Sequence, residues 1–359
     1  MQLHLVGGFL GSGKTTAIIG AARLLTAAGK RVGVVTNDQG RYLVDTAFFR
    51  SNIPTVEVTG GCFCCNYDDL QARLDQLKES AQPDVIFAES VGSCADMVDT
   101  VLKPLLALRS GENAPNSFSV FADARLLRLR LLDESLPFNE DVVYIFDKQI
   151  EEAGLLVVNK IDLLSLQAKD GLAGMAKTRF ADKTILMQNS LDPASLARWV
   201  ELVGSGAAAL PAQSLQIDYQ RYGEGEARLA WLDEEITLKT PDGQGRAAVL
   251  SLLEAIQDAL QAKGAAVGHL KTLLRSGDVE VKVSFPTLQE AGWQERVPGL
   301  PGKTVSLMLN ARVEMDAEAL RHLVRRALDE IAAAHCATFT ESGVAYFHPS
   351  FPKPTHRIS

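Results

Sequence analysis

Over its first two hundred residues the chain alternates short apolar runs with amphipathic stretches of helical period. Strands are predicted at 3–6, 31–36, 56–58, 84–88, 117–122, 154–158 and 183–187, with a helix at 14–28 between the first two. That rhythm implies an α/β fold with a mostly parallel sheet covered by helices. Ligands of such sheets lie at the carboxyl ends of the strands, where most of the unusual residues of this chain fall. Around 204–214 the run "GSGAAALPAQS" breaks the pattern, and a domain boundary is placed near residue 212. Beyond it, strands at 227–238, 279–285, 304–313 and 337–347 and helices at 247–262 and 317–334 predict a smaller α+β domain. The expected division is therefore 1–212 and 213–359. The last residues, "HPSFPKPTHRIS", read as extended, either docked on a partner or on the first domain, or loosely packed.

Composition changes this picture little. A 47% hydrophobic content across 359 residues supports two cores. With 36 basic against 44 acidic residues the formal charge is -8, so nucleic acid is not an expected partner. The start "MQLHLVGGFL" lacks the features of a signal peptide, and no apolar run reaches the length of a membrane helix. A soluble cytoplasmic protein is expected. Five cysteines, three of them close together, fit a disulfide framework poorly.

Chemistry enters with "GFLGSGKT", from Gly8 to Thr15, which lies between a strand and a helix as a phosphate-binding loop must. The amides of Gly11, Ser12 and Gly13 can wrap phosphate oxygens, Lys14 can reach the β and γ phosphates, and the Thr15 hydroxyl can ligate magnesium. In "VVNKIDLL", Asn159, Lys160 and Asp162 follow an apolar strand. An aspartate there can accept from two donors on guanine that adenine lacks, so GTP is the expected nucleotide. Asn189 and Ser190 either border the base or form a plain polar loop. "TNDQG" and "AESVG" each end a buried strand. Asp38 and Glu89 are the candidate acids for holding magnesium or orienting the hydrolytic water, and Gly92 would let a backbone amide approach the γ phosphate.

Between those acids lies "TGGCFCCNYDD". Cys62, Cys64 and Cys65 can direct thiolates at one soft or borderline ion. The other readings are small core residues and a redox couple; Cys62 and Cys65 have C-x-x-C spacing, but the sequence reads as the wrong βαβ context for such a couple. With no second cysteine pair to supply a fourth ligand, an exchangeable metal site is favoured over a permanent staple. Cys94 and Cys336 read as isolated small hydrophobes.

In this order, "GGFLGSGKTT", "TNDQG", "GGCFCC", "ESVG", "FADARLL" and "QIEEAGLLVVNKIDLL" resemble the CobW-like GTPases, a metallochaperone class that includes UreG and HypB. The resemblance covers residues 1 to about 200. It implies that Cys62, Cys64 and Cys65 hold zinc or cobalt, and that GTP binding or hydrolysis is coupled to passing the ion to a client metalloprotein. It further implies that Gly11, Gly13, Lys14, Thr15 and Thr16 bind phosphates and magnesium, that Asn159, Lys160 and Asp162 bind guanine, and that nucleotide binding promotes a homodimer. Asp38 stands where the family usually has glutamate, and the histidine-rich tract of many members is missing. Two rivals remain: a small-molecule kinase using the same phosphate loop, and a GTP-dependent switch with a structural zinc. His269, in "GHLK", reads as a histidine at a strand edge that could approach the ion or the nucleotide.

Overall fold

The computed structural model describes the chain except for residues 41–42, 51–52, 109–113, 209, 212, 242 and 289–291. It divides into two compact units, the first made of Met1–Gln39, Phe49–Gly225 and Phe351–Ser359, the second of Gly40–Phe48 and Glu226–Ser350. The expected boundary near residue 212 lies outside the described residues, and the first unit runs on to Gly225.

In the first unit the described strands are β1 (Gln2–Gly8), β2 (Val32–Asp38), β3 (Thr55–Thr59), β4 (Val85–Glu89), β5 (Pro115–Asp123), β6 (Leu155–Asn159) and β7 (Thr184–Met187). They form one parallel sheet in the order β3-β2-β4-β1-β5-β6-β7. The central strands are continuous apolar runs such as "LLVV" and "VIFA" because both faces are covered by helices. On one face Trp199, from helix Pro193–Gly204, stacks 5.6 Å from Phe87, meets Phe121 edge-on at 5.2 Å and donates its indole N–H to Ser119 Oγ at 3.1 Å. Helix Lys14–Ala27 adds Ala17, Ile18 and Ala21 to the same core. Register then decides where the chemistry gathers. Glu89 is level with Val6 on one side and Thr36 on the other, and Asp38 is level with Thr59, so four strands end along one rim.

The second unit is an antiparallel sheet of β8 (Leu229–Lys239), β9 (Ala266–Ser276), β10 (Val279–Pro286), β11 (Thr304–Glu314) and β12 (Thr338–Phe347), ordered β10-β9-β11-β8-β12. Helices Gly245–Ala262 and Ala317–Ala334 bury Leu252, Ile256, Leu320 and Leu328 in its core. Four of these strands match the sequence expectation. The strand β9 was missed, because both of its faces are largely buried and "AVGHLKTLLRS" shows no period of two. For the same reason His269 is not at a strand edge: it is buried inside the sheet, opposite Pro286 of β10 and Arg312 of β11. Val44 and Asp45 are fixed within this unit. Asn310 accepts from the Val44 amide at 2.8 Å, and Asp45 is bonded by Lys271 at 2.5 Å and by Lys282. Burial favours the neutral acid, yet the two lysines hold the Asp45 carboxyl well below the usual carboxylate range. No helix among the described residues is long and apolar enough to cross a membrane.

Candidate nucleotide and metal site

The phosphate loop leaves β1 at Gly8 and enters helix Lys14–Ala27. Gly13 sits at φ +95°, and a Cβ there would lie 2.4 Å from Asn159 Nδ2, so only glycine fits. Four other helices of this unit are capped by the side chains of Asp123, Asn139, Ser165 and Asp192. The phosphate-loop helix has no side-chain cap and no acid in its first turn, which leaves its amides for an anion. Ser12 is buried, and its Oγ has no hydrogen-bond partner among the described residues. The Lys14 ammonium is held in the loop, donating to Gly8 O at 2.6 Å and Phe9 O at 3.2 Å. Gly11 is half-buried and Thr16 exposed.

Thr15 Oγ1 donates to Glu89 Oε1 at 2.8 Å, so the hydroxyl and the acid expected to serve magnesium lie side by side. This pair fits a hard cation that takes oxygen ligands. Asp38, half-buried, ends β2 one strand away. At Gly92 a Cβ would lie 2.6 Å from Leu10 Cδ2 and 3.1 Å from Leu10 Cα, so the glycine lets this loop close on the phosphate loop.

On the far side, Asn159 ties two loops together. Its Nδ2 donates to Ser12 O at 2.8 Å, and its Oδ1 accepts from the Ser190 amide at 3.1 Å and hydroxyl at 2.8 Å. Lys160, at φ +64°, pairs with Asp123 at 3.2 Å, an acid that the sequence reading did not single out. Asp162 is exposed, and Asn189 accepts from Leu191 N at 2.9 Å to close its own turn. Asn159 thus positions the loops, while Asp162 keeps an accessible carboxylate.

The thiols occupy a turn just beyond β3. Cys65 N–H and Asn66 N–H both donate to Cys62 O, at 3.0 and 2.9 Å, and the turn runs directly into helix Tyr67–Ala81. Cys62 and Cys65 Sγ lie 3.2 Å apart, Cys64 and Cys65 Sγ 3.8 Å. One missed residue builds this turn: Asn37 of β2 donates to Val58 O at 3.2 Å and Gly61 O at 2.7 Å, and accepts the Phe63 amide at 2.8 Å. The side-chain amide of the strand that ends in Asp38 therefore holds the cysteine loop. Only its polar type beside a predicted strand end could have flagged it.

Two expectations are corrected here. Cys94 does not stand alone: its Sγ is 3.9 Å from that of Cys64. The cysteines also do lie between a strand and a helix of a parallel sheet, so the topological objection to a redox couple falls. What opposes a reactive thiolate is the environment. Contact with Cys62, then Cys65 and Cys94, with burial behind them, pushes the Cys64 thiol well up, and contact with Cys62 first of all pushes Cys65 up to about 11. A raised thiol is a poor nucleophile at neutral pH, which weighs against the redox reading.

The final residues belong to the same unit and cover the turn. Lys353 N–H donates to Cys65 Sγ at 3.2 Å, Thr355 N–H to Cys64 O at 2.9 Å and Thr355 Oγ1 to Cys65 O at 2.9 Å. Arg357 bridges Asp96 at 2.9 Å and Asp99 at 3.1 Å, and His356 meets Tyr67 edge-on at 5.0 Å. Of the two sequence readings of this tail, docking and loose packing, the structure has it docked.

Over 195 residues the chain is 29% identical to the zinc chaperone YeiR of Escherichia coli K12, covering 52% of this chain and 54% of that protein. Over 211 residues it is 28% identical to the zinc chaperone CobW of a Sinorhizobium species, covering 51% of this chain and 57% of that protein. The chain thus spans a little over half the length of these relatives. The crystal structure of HypB from Helicobacter pylori in complex with nickel is 16% identical, covers 60% of this chain and 91% of that one, and has a TM-score of 0.42. Residues 2–186, more than half of the chain, match the family described as CobW/HypB/UreG, nucleotide-binding domain. The chain belongs to the CobW/HypB/UreG family.

Proposed function

We propose that this protein is a GTP-binding and GTP-hydrolysing metallochaperone whose cargo, zinc or cobalt, is held by Cys62, Cys64 and Cys65. One observation carries the reading: the three thiol sulfurs lie within 4.8 Å of one another in a turn clasped by Asn37, one residue before Asp38. Three converging thiols suit a soft or borderline ion. Lys14 and the loop amides would hold the phosphates, Thr15 and Glu89 the magnesium, and Asp162 the guanine, with Asp38 and Glu89 ordering the attacking water. Magnesium supplies charge neutralisation at the β and γ phosphates. Loss of the γ phosphate would relax the ends of β2 and β4, and Asn37 would pass that change to the cysteine turn. The recipient is a client metalloprotein in the cytoplasm, and a nucleotide-dependent homodimer fits the same cycle. The zinc chaperone names of the relatives and the family match support this reading.

The test is a titration of reduced protein with zinc and with cobalt, bound to GDP or to a non-hydrolysable GTP analogue, beside a Cys62, Cys64, Cys65 triple serine variant. Cysteine-dependent binding whose affinity shifts with nucleotide supports the reading, and linkage requires metal to shift nucleotide affinity by the same factor. Equal GTP affinity with and without metal would overturn it.

A further inference from the structure

The thiol cluster holds a cysteine that neither the motif nor the family match assigns. Cys94 lies on the turn that follows Glu89, is 1% exposed, and places its Sγ 3.9 Å from Cys64 Sγ. A tetrahedral zinc site with zinc–sulfur bonds of about 2.3 Å requires sulfurs about 3.8 Å apart. Three of the six edges, 3.2 Å for Cys62 to Cys65, 3.8 Å for Cys64 to Cys65 and 3.9 Å for Cys64 to Cys94, lie near that length, and Cys62, Cys64 and Cys65 all fall within 4.8 Å of one another.

The turn that carries Cys94 is itself fixed. Cys94 N–H donates to Val91 O at 3.0 Å, and Gln149, 1% exposed, donates from Nε2 both to Gly92 O at 3.0 Å and to Cys94 O at 2.8 Å. A buried side chain spending both amide hydrogens on one turn orients what that turn presents. On its other side Cys94 Sγ donates to Met97 Sδ at 3.5 Å, so the pocket around it is sulfur-lined.

We propose that Cys94 is a fourth thiolate ligand, completing with Cys62, Cys64 and Cys65 a four-sulfur site for a zinc-like divalent ion. This rests on the metallochaperone reading and sharpens it. Three ligands come from the turn that Asn37 clasps and the fourth from the turn after Glu89, the acid bonded to Thr15. The ion would therefore bridge the two segments that a γ phosphate addresses. Withdrawing the Cys94 turn would convert a closed four-sulfur site into an open three-sulfur one, which is the form from which an ion can be passed on.

The experiment is zinc K-edge X-ray absorption on the reduced full chain with one equivalent of zinc, for wild type, Cys94→Ser, Cys94→Ala, Met97→Leu, Cys336→Ser and the Cys62, Cys64, Cys65 triple serine variant. Competition with a chelator gives the affinities, and circular dichroism checks each fold. Four sulfurs are expected in wild type, Met97→Leu and Cys336→Ser, and three in the Cys94 variants. Their zinc affinity should fall on the order of 100-fold, about a quarter of the free energy of a four-ligand zinc site. Three sulfurs in wild type, or Cys94 variants with unchanged sulfur count and affinity, would overturn the proposal and leave the three-cysteine site standing. Should the Cys94 variants fail to fold, four sulfurs in both Met97→Leu and Cys336→Ser still identify Cys94, and three in wild type still refute it. Zinc that does not need Cys62, Cys64 and Cys65 would instead overturn the metallochaperone reading, and this proposal with it.

Discussion

Each unit buries a polar cluster, and the two are opposites. In the second unit Arg312 and Asp233, both fully buried, pair at 2.7 Å; Asn310 adds a bond to the same Asp233 oxygen at 2.9 Å, and the guanidinium lies 3.8 Å over Trp231. In the first unit Cys62, Cys64 and Cys94 are equally hidden, but their close neighbours are sulfur atoms rather than an opposite charge. The charged cluster is balanced by the protein itself. A thiolate buried among those sulfurs would need a cation to balance it. Burial alone therefore does not mark a site; what a buried group would need in order to ionise does.

The largest test of that contrast removes one charge. Arg312→Ala leaves Asp233 buried and unpaired by its main partner, and denaturant unfolding of the second unit is expected to lose about 3–5 kcal/mol. Next is the triple serine exchange at Cys62, Cys64 and Cys65. In the absence of metal it should cost about 1–3 kcal/mol for each hydroxyl buried at 62 and 64 without leaving the protein unfolded, and it should abolish the gain of about 2.7 kcal/mol expected for wild type with zinc at 100 times its dissociation constant. If metal-free protein collapsed in that variant, the thiols would be a structural cluster after all. Asn37→Ala, which strands the Phe63 amide and two carbonyls, should cost about 2 kcal/mol and weaken zinc binding while leaving nucleotide affinity nearly intact, as read by paired titrations.

The smallest effect probes where the second unit is not balanced. Burial first, and then contact with Glu341, raises the Glu234 carboxyl to about 8. A carboxyl that keeps its proton in the fold and loses it in the unfolded chain stabilises fully below pH about 4.5, and that contribution drains away as pH rises to about 8. Unfolding at pH 6 and 8.5 should differ by roughly 1–2 kcal/mol through this group, and Glu234→Gln should flatten the slope.

The parallel sheet, the phosphate loop and the thiol turn were legible because local rules write them: a run of β-branched residues, glycines at positive φ, cysteines within one turn. The strand β9 escaped because burial on both faces erases alternation. Cys94 and Asn37 escaped for a different reason. Their roles depend on contacts with Cys64 and Phe63 across 30 and 26 residues, set by sheet register rather than by local spacing. Asn159 was legible as a site residue, but its bonds to Ser12 and Ser190 as a tie between loops were not.

The tail over the cysteines has a consequence for the order of events during synthesis. Lys353 reaches Cys65 across 288 residues of chain. At translation rates of roughly 5–20 residues per second, roughly 15–60 s separate the emergence of the two. During that interval the thiol turn can fold beside β2 and β3 with nothing over it. An ion captured on the ribosome would enter an uncovered turn; one arriving later would meet a turn to which Lys353 and Thr355 are already bonded. The newborn and the mature chain would then load metal at different speeds.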